Sequence, residues 1–328
     1  MISKTEHKII LKLVLKASLL TVLFFSCGNL FAQNTPLTVL PFELKTDNRI
    51  YIKCRINEAD ELSFMFDTGA NGSVINQSIL GKKLDLNLDG ESNNVGANGS
   101  GKVAVSNRNT ISFGDVKISD ASFVVIPYGE APFDGVFGSD IMQKYVIEID
   151  YNKKQLRFYN PEKYLYQTAD YERYKLRKKS GLMVIEGAVN AARKKYKGYF
   201  EIDTGGDGGL SLTSPFVEKY QFNKSFKTVA KATVLGSDGT SVQSPIVVLP
   251  EVRIGSKYFY RVPTVLSASQ SGVFADREID GIFGNNFLKR FNAILDISRN
   301  QIFLKANDLL HTPYYDFLVD KIQPRKAN

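Results

Sequence analysis

Histidine and cysteine are almost missing from this chain. His7 and His311 are the only histidines in 328 residues, and Cys27 and Cys54 the only cysteines. With one histidine near the N-terminus and the other in the C-terminal tail, a Ser/His/Asp or Cys/His machine has almost no residues to work with. The same holds for a zinc site of the usual His or Cys type. Loss or acylation of Cys27 would leave Cys54 without a partner, which excludes an intramolecular disulfide. Cys54 lies in the alternating run Ile50-Tyr51-Ile52-Lys53-Cys54-Arg55-Ile56 and reads as a core residue. Long runs of one charge are missing too. Lys and Arg are scattered apart from short clusters such as Arg177-Lys178-Lys179, and without residues 1–26, which hold four Lys and one Glu, the formal charge falls from +8 to +5. That is a solvated surface, and nucleic-acid binding is not expected. Carboxylate chemistry is what remains.

The N-terminus reads as an export signal over residues 1–32. Lys4, Lys8, Lys12 and Lys16 precede an apolar run from Ala17 to Phe25 that is too short and too unevenly flanked for a membrane span. Two processing sites compete: cleavage after Ala32, or lipid attachment at Cys27. A retained N-terminal anchor is the third reading. The chain is expected to be exported, as a periplasmic protein or, where a lipid is attached at Cys27, as an outer-membrane-associated one.

What is present is a strand-rich, globular composition: 43% of residues are apolar, with 16 Tyr and 22 Phe. The length suits two domains of ordinary size. Two stretches stand out, Phe64-Met65-Phe66-Asp67-Thr68-Gly69-Ala70-Asn71 and Tyr199-Phe200-Glu201-Ile202-Asp203-Thr204-Gly205-Gly206-Asp207. Each is an apolar strand that runs into an aspartate, a hydroxyl and a glycine. An aspartate at the end of a buried strand loses solvation, so it shifts its pKa upward or finds donors. The glycine allows a turn tight enough for its N–H to face that carboxylate.

Alternation from Thr38 predicts a meander of antiparallel strands ending at Asp67. A short helix is expected from Asn76 to about Leu84, then a hairpin tip at 96–101, and a strand, Val136-Phe137-Gly138, that turns into a helical start. A linker with some helix is expected over 162–180, giving units at 33–161 and 181–328. The second half repeats the order: a helix opening at Ser214-Pro215, a hairpin tip at 236–240, and Ile282-Phe283-Gly284. Asp67 and Asp203, Gly96 and Gly236, Gly114 and Gly255, and Asp134 and Asp280 are offset by 136, 140, 141 and 146 positions. A slowly growing offset is the mark of a whole-unit duplication with small loop insertions.

These residues resemble the aspartic protease superfamily, specifically the bacterial retropepsin-like proteins with two lobes in one chain. The resemblance covers roughly residues 38–306. It implies an all-β fold of two homologous β-barrel lobes with ψ-loops and an active cleft between them. Asp67 and Asp203 would share a proton and activate a water for peptide hydrolysis, with no metal or cofactor. Thr68, Gly69, Thr204 and Gly205 would support the dyad. Asn71 and Asp207, four positions past each aspartate, would meet substrate, as would the flap residues Gly96, Asn98, Gly99, Gly236, Asp238 and Gly239. The implied partner is a peptide or protein substrate, and both lobes in one chain imply a monomer. The competing reading is a non-catalytic peptide- or glycan-binding module on the same scaffold.

Overall fold

The computed structural model describes residues 34–191 and 194–314. The expected export signal, with Cys27 and Ala32, lies outside them. Strand β1 (Thr38–Pro41) comes first. The short β2 (Glu43–Leu44) then leads into β3 (Ile50–Ile56), β4 (Leu62–Phe66), β5 (Val74–Asn76), β6 (Gly90–Val95), β7 (Ser100–Phe113), β8 (Val116–Ile126) and β9 (Gly135–Phe137). Their order is β2-β3-β4-β9-β5-β8-β7-β6, and an added pairing of β3 with β7 closes six of them into a barrel. The burial pattern of β3 explains the closure: Ile50, Ile52, Cys54 and Ile56 point inward while Lys53 and Arg55 stay outside. Cys54 is a buried free thiol.

After β10 (Val146–Asp150) and β11 (Gln155–Tyr159) the second half follows with β12 (Glu172–Lys175) and β13 (Arg177–Lys179). Then come β14 (Leu182–Ala191), β15 (Lys194–Asp203), β16 (Leu210–Leu212), β17 (Ala230–Leu235), β18 (Ser241–Ile254), β19 (Lys257–Leu266) and β20 (Gly281–Gly284). The order β13-β14-β15-β20-β16-β19-β18-β17, closed by β14 with β18, reproduces that of the first barrel strand for strand. The chain ends in β21 (Phe291–Asp296) and β22 (Gln301–Ala306).

The two halves are joined by a sheet that periodicity does not reveal. Its order is β1-β11-β10-β21-β22-β12, three strands from each half. The seam is antiparallel, with Val146 opposite Asp296 and Ile149 opposite Ala293. Strand β1 therefore belongs to this sheet and not to the expected meander: Thr38 to Pro41 pair with β11.

Two other expectations change. After Asn76 the chain makes one 3-10 turn, Gln77–Ile79, in place of the helix expected to Leu84. Asn76 does cap it, accepting from Ser78 N. In the second half a helix does form, Ser214–Tyr220, but Thr213 is its N-cap and Ser214 is already helical. The stretch 162–180 is more than a linker. Tyr164 is buried on the shared sheet against Val146, Tyr159, Ile294 and Phe303, and its hydroxyl donates to Glu148 at 2.8 Å. The absence of a strict period there reflects tyrosines that cover a sheet face from a strand-poor segment, after which β12 adds to the sheet edge through β22.

Directly behind the two Asp-Thr-Gly turns lie paired rings. Phe66 stacks on Phe137 at 5.9 Å, and Phe200 on Phe283 at 5.0 Å; all four are fully buried. Phe137 also meets Phe113 and Phe158, linking the first barrel to the shared sheet. Phe137→Ala is expected to cost about 3–5 kcal/mol. Denaturant unfolding measures this, and a loss below about 1 kcal/mol would show that the ring cluster refills the space without penalty.

Candidate active site

Each aspartate is delivered by a pair of parallel strands. Strand β4 runs beside β9, with Phe66 opposite Phe137, and Asp67 N donates to Phe137 O at 3.1 Å. Strand β15 runs beside β20, with Asp203 opposite Gly284. The turn that follows folds back, and its N–H groups point at the carboxylate it just left. Asp67 Oδ1 accepts from Gly69 N (2.8 Å) and Ala70 N (3.2 Å). Asp203 Oδ1 accepts from Gly205 N and Gly206 N, both at 2.8 Å. The glycine-dense second turn thus holds its acid with the shorter pair of bonds.

The turns meet across a pseudo-twofold. Thr68 N donates to Thr204 Oγ1 and Thr204 N to Thr68 Oγ1, each at 3.0 Å. The hydroxyls donate onward into the opposite half, Thr68 Oγ1 to Ile202 O (2.6 Å) and Thr204 Oγ1 to Phe66 O (2.7 Å). Both threonines are buried, so four polar groups are satisfied only because the halves are together. Close approach dictates the glycines: a Cβ on Gly205 would lie 2.2 Å from Asp67 Cγ, and one on Gly69 2.9 Å from Asp203 Cγ.

The Asp67 and Asp203 side chains share a hydrogen bond. They keep a window on the cleft and are enclosed on every other side. Loss of water is the largest influence on both and pushes both carboxyls up; for Asp203 the adjacent Asp67 charge pushes the same way, well above the usual range. The shared bond favours the charged form of Asp67 and disfavours that of Asp203. The pair therefore holds on to a proton at a pH where isolated carboxyls have lost theirs.

Above the aspartates is a cleft of about 1090 Å³. Asn71, Gly96 and Gly236 line it. Asp207 does not; its side chain is 65% exposed and faces Arg49 at 3.7 Å. The hairpin tips at 96–99 and 236–240 close over the cleft, but their polar side chains bind each other. Asn98 is buried, and its amide donates to Val234 O (2.9 Å) and Thr240 O (3.4 Å) while its Oδ1 accepts from Ser269 Oγ. Asp238 packs where side chains on Gly96 and Gly99 would have to go, and accepts from Thr240 Oγ1. Asn98, Gly99, Asp238 and Gly239 are therefore roof contacts and not cleft-lining groups. Tyr128 of the first half reaches the second tip at Ser237.

Three residues of the site escaped the sequence reading. Arg49 donates from Nε to Gly205 O at 2.6 Å and holds the second turn from the first half. Tyr128 forms part of the cleft wall, edge-on to Phe133. Glu201, two positions before Asp203, is 3% exposed and lines the cleft. Only Glu201 had a signal, an acid inside an otherwise apolar strand.

Residues 52–141 match the family model described as aspartyl protease. The match takes in Asp67-Thr68-Gly69 and the Val136-Phe137-Gly138 strand beside it. This segment is an aspartyl protease family domain. A comparison with curated proteins gave no match. The aspartyl protease domain spans most of the first barrel, from within β3 to the helical turn Ser139–Met142. The second barrel carries the same strand order around its own Asp-Thr-Gly.

Raised carboxyl pKa values carry a cost to folding. A native state that holds extra protons loses stability as pH rises from the ordinary aspartate range through the raised values. Asp203→Asn removes one such group and keeps an oxygen for Gly205 N and Gly206 N. The variant is expected to be more stable than the unaltered protein at neutral pH, with the difference fading below about pH 4. Denaturation from pH 3 to 8 measures it; equal stability at neutral pH would mean that the pair ionises freely.

Proposed function

We propose that this protein is an aspartic endopeptidase whose general base and acid are Asp67 and Asp203. One observation carries the reading: the two carboxyls lie in hydrogen-bond contact, at the floor of a cleft between barrels of equal topology. The matched aspartyl protease domain supports a peptidase and supplies the first of the two acids.

In the proposed reaction a water sits between the carboxyls. The ionised Asp67 takes a proton from it, and the water oxygen bonds to the scissile carbonyl carbon. Asp203 gives its proton to the carbonyl oxygen, so the tetrahedral adduct forms without net charge. The proton on Asp67 then passes to the amide nitrogen as the C–N bond breaks, and the adduct returns one proton to Asp203. Thr68 and Thr204 hold the acids in place, and the N–H groups of Gly69 and Gly205 keep each inner oxygen fixed. An extended peptide would pair with the hairpins β6–β7 and β17–β18 as an added strand. Both acids come from one chain, so a monomer suffices, and export through residues 1–32 would direct it to extracytoplasmic peptides.

Asp67→Asn and Asp203→Asn are each expected to lower the cleavage rate of a diverse peptide library by about 100- to 10,000-fold while leaving the fold intact. Mass spectrometry of the products, beside circular dichroism of the variants, checks this. A folded protein that cuts nothing, and whose variants bind peptides as it does, would sink the peptidase reading in favour of a binding module.

A further inference from the structure

The two halves of the cleft floor are alike in backbone and opposite in chemistry. Met65 pairs with Tyr51 on one side and Val136 on the other; Glu201 pairs with Val184 and Ile282 at the corresponding register. Met65 and Glu201 are therefore the same position in the two barrels, each two residues before its aspartate and on its cleft face. Around Met65 the wall is apolar, built with Val74, Phe133 and Val136 and flanked by Val124 and Tyr128. Around Glu201 a second carboxyl, Asp276, also lines the cleft.

Glu201 is an unusual tenant of such a place. Its side chain takes no hydrogen bond and no ion pair from any described residue. What surrounds it electrostatically is repulsive: burial first, then the charges of Asp203, Asp67 and Asp276, all drive its carboxyl well above the usual range. Among the described residues no basic side chain counters them. Its Oε1 is 3.1 Å from the point where Gly69 would carry a Cβ, beside the Asp203 carboxyl at 2.9 Å from that point. A buried acid with no partner avoids that cost by keeping its proton, and a cation placed beside it would stabilise the anion instead. The remaining open direction is the cleft. A cation carried in by a ligand is the partner that this open side admits.

We propose that Glu201, with Asp276, forms an acidic subsite that takes a lysine or arginine side chain adjacent to the scissile bond, while the Met65 side takes an apolar one. This rests on the peptidase reading above. An ammonium or guanidinium entering the subsite would lose its own hydration and regain it as bonds to Glu201, ionising that acid in place. A methylene-rich stem suits the remaining wall of Leu182, Val273 and Ile282. An uncharged side chain there would leave Glu201 as unpaired as before, which is how a subsite of this kind rejects a wrong substrate.

The test compares the unaltered protein with Glu201→Met, which copies the other half, and Glu201→Gln, the nearest isostere should the methionine variant not fold. Cleavage of a peptide library is read by mass spectrometry, and kcat/KM is measured on two peptides that differ only in Lys or Leu beside the cut. In parallel, Asp67→Asn protein is titrated with the same pair of peptides. The unaltered protein is expected to cut with Lys or Arg at one of the two flanking positions. Either Glu201 variant is expected to lower the ratio of kcat/KM on the Lys peptide to that on the Leu peptide by about 100-fold. Cleavage with no basic preference, or a preference that survives both substitutions, overturns the subsite and leaves the peptidase standing. If nothing is cut, the peptidase reading fails by itself. The subsite is then judged on binding: tighter binding of the Lys peptide by about tenfold or more supports it, and equal affinity or no binding removes it as well.

Discussion

Two carboxyl groups in hydrogen-bond contact, in a place from which most water has been expelled, cannot both be charged. In water their repulsion at a few ångströms is about 1 kcal/mol; enclosed by protein it grows severalfold. A chain left to itself would keep Asp67 and Asp203 apart. Their contact is imposed by reciprocal threonine bonds, by two backbone donors on each inner oxygen, and by the ring stacks Phe66–Phe137 and Phe200–Phe283 behind the turns. Burial of those rings supplies the favourable term against which the carboxyl pair is held. The same geometry that makes the pair unfavourable as two anions makes it useful as one acid and one base.

The symmetry of the scaffold ends at the backbone. Arg49 stands two residues before Tyr51, and its counterpart two before Val184 is Leu182. Arg49 clasps the Gly205 turn and faces Asp207; on the other side Gly181 approaches Asn71 with no charge involved. Asn71 and Asp207, like Met65 and Glu201, are thus matched positions with unlike side chains. At the matched floor position one half of the cleft is neutral, with Met65, and the other acidic, with Glu201. A peptide has a direction, so the proposed peptidase could do what identical halves cannot: give each side of the scissile bond its own environment. Arg49 also offsets part of the negative charge near Asp203, which is more crowded with acids than Asp67 is.

Much of this was legible in the sequence because the signals were local or repeated. Alternation of Ile50, Ile52, Cys54 and Ile56 gave a strand, and the recurrence of an Asp-Thr-Gly turn followed by an apolar pair and glycine gave two copies of one fold. What was not legible depends on partners far apart in the chain. The shared sheet pairs Ile147 with Leu295, and nothing in either hairpin marks its outer edge as the one that will be covered. The tyrosines of 164–171 looked irregular because they pack on that sheet and obey no period of their own. Arg49 is one of many surface-type cations until the Gly205 carbonyl is placed beside it. For the flap tips, the glycines spoke of turns, but whether Asn98 would face the cleft or the opposite hairpin was decided by Val234 and Thr240 on the other half.

The join between the halves and the roof over the cleft are built from different materials, and in the proposed peptidase that difference would set how a peptide gets in. The halves are joined by a continuous six-stranded sheet, with apolar side chains such as Ile147, Leu156 and Leu295 buried on it. Opening the halves there would expose that core. The roof is held by hydrogen bonds from the first tip to the turn Val273–Ala275, Val273 N to Gly96 O and Phe274 N to Ala97 O, and between the hairpins, Asn94 to Ser237 and those of Asn98. Each such bond is worth about 0.5–1.5 kcal/mol net, since water replaces it once the tips part. The strand ends beside the tips, Val95 and Leu235, are 61% and 67% exposed and add little burial to closure. Local opening therefore belongs to the hairpins, with the join and the carboxyl pair left undisturbed. A roof that is easy to part above a join that is not would let the acids of the proposed peptidase keep their geometry as a peptide enters and leaves.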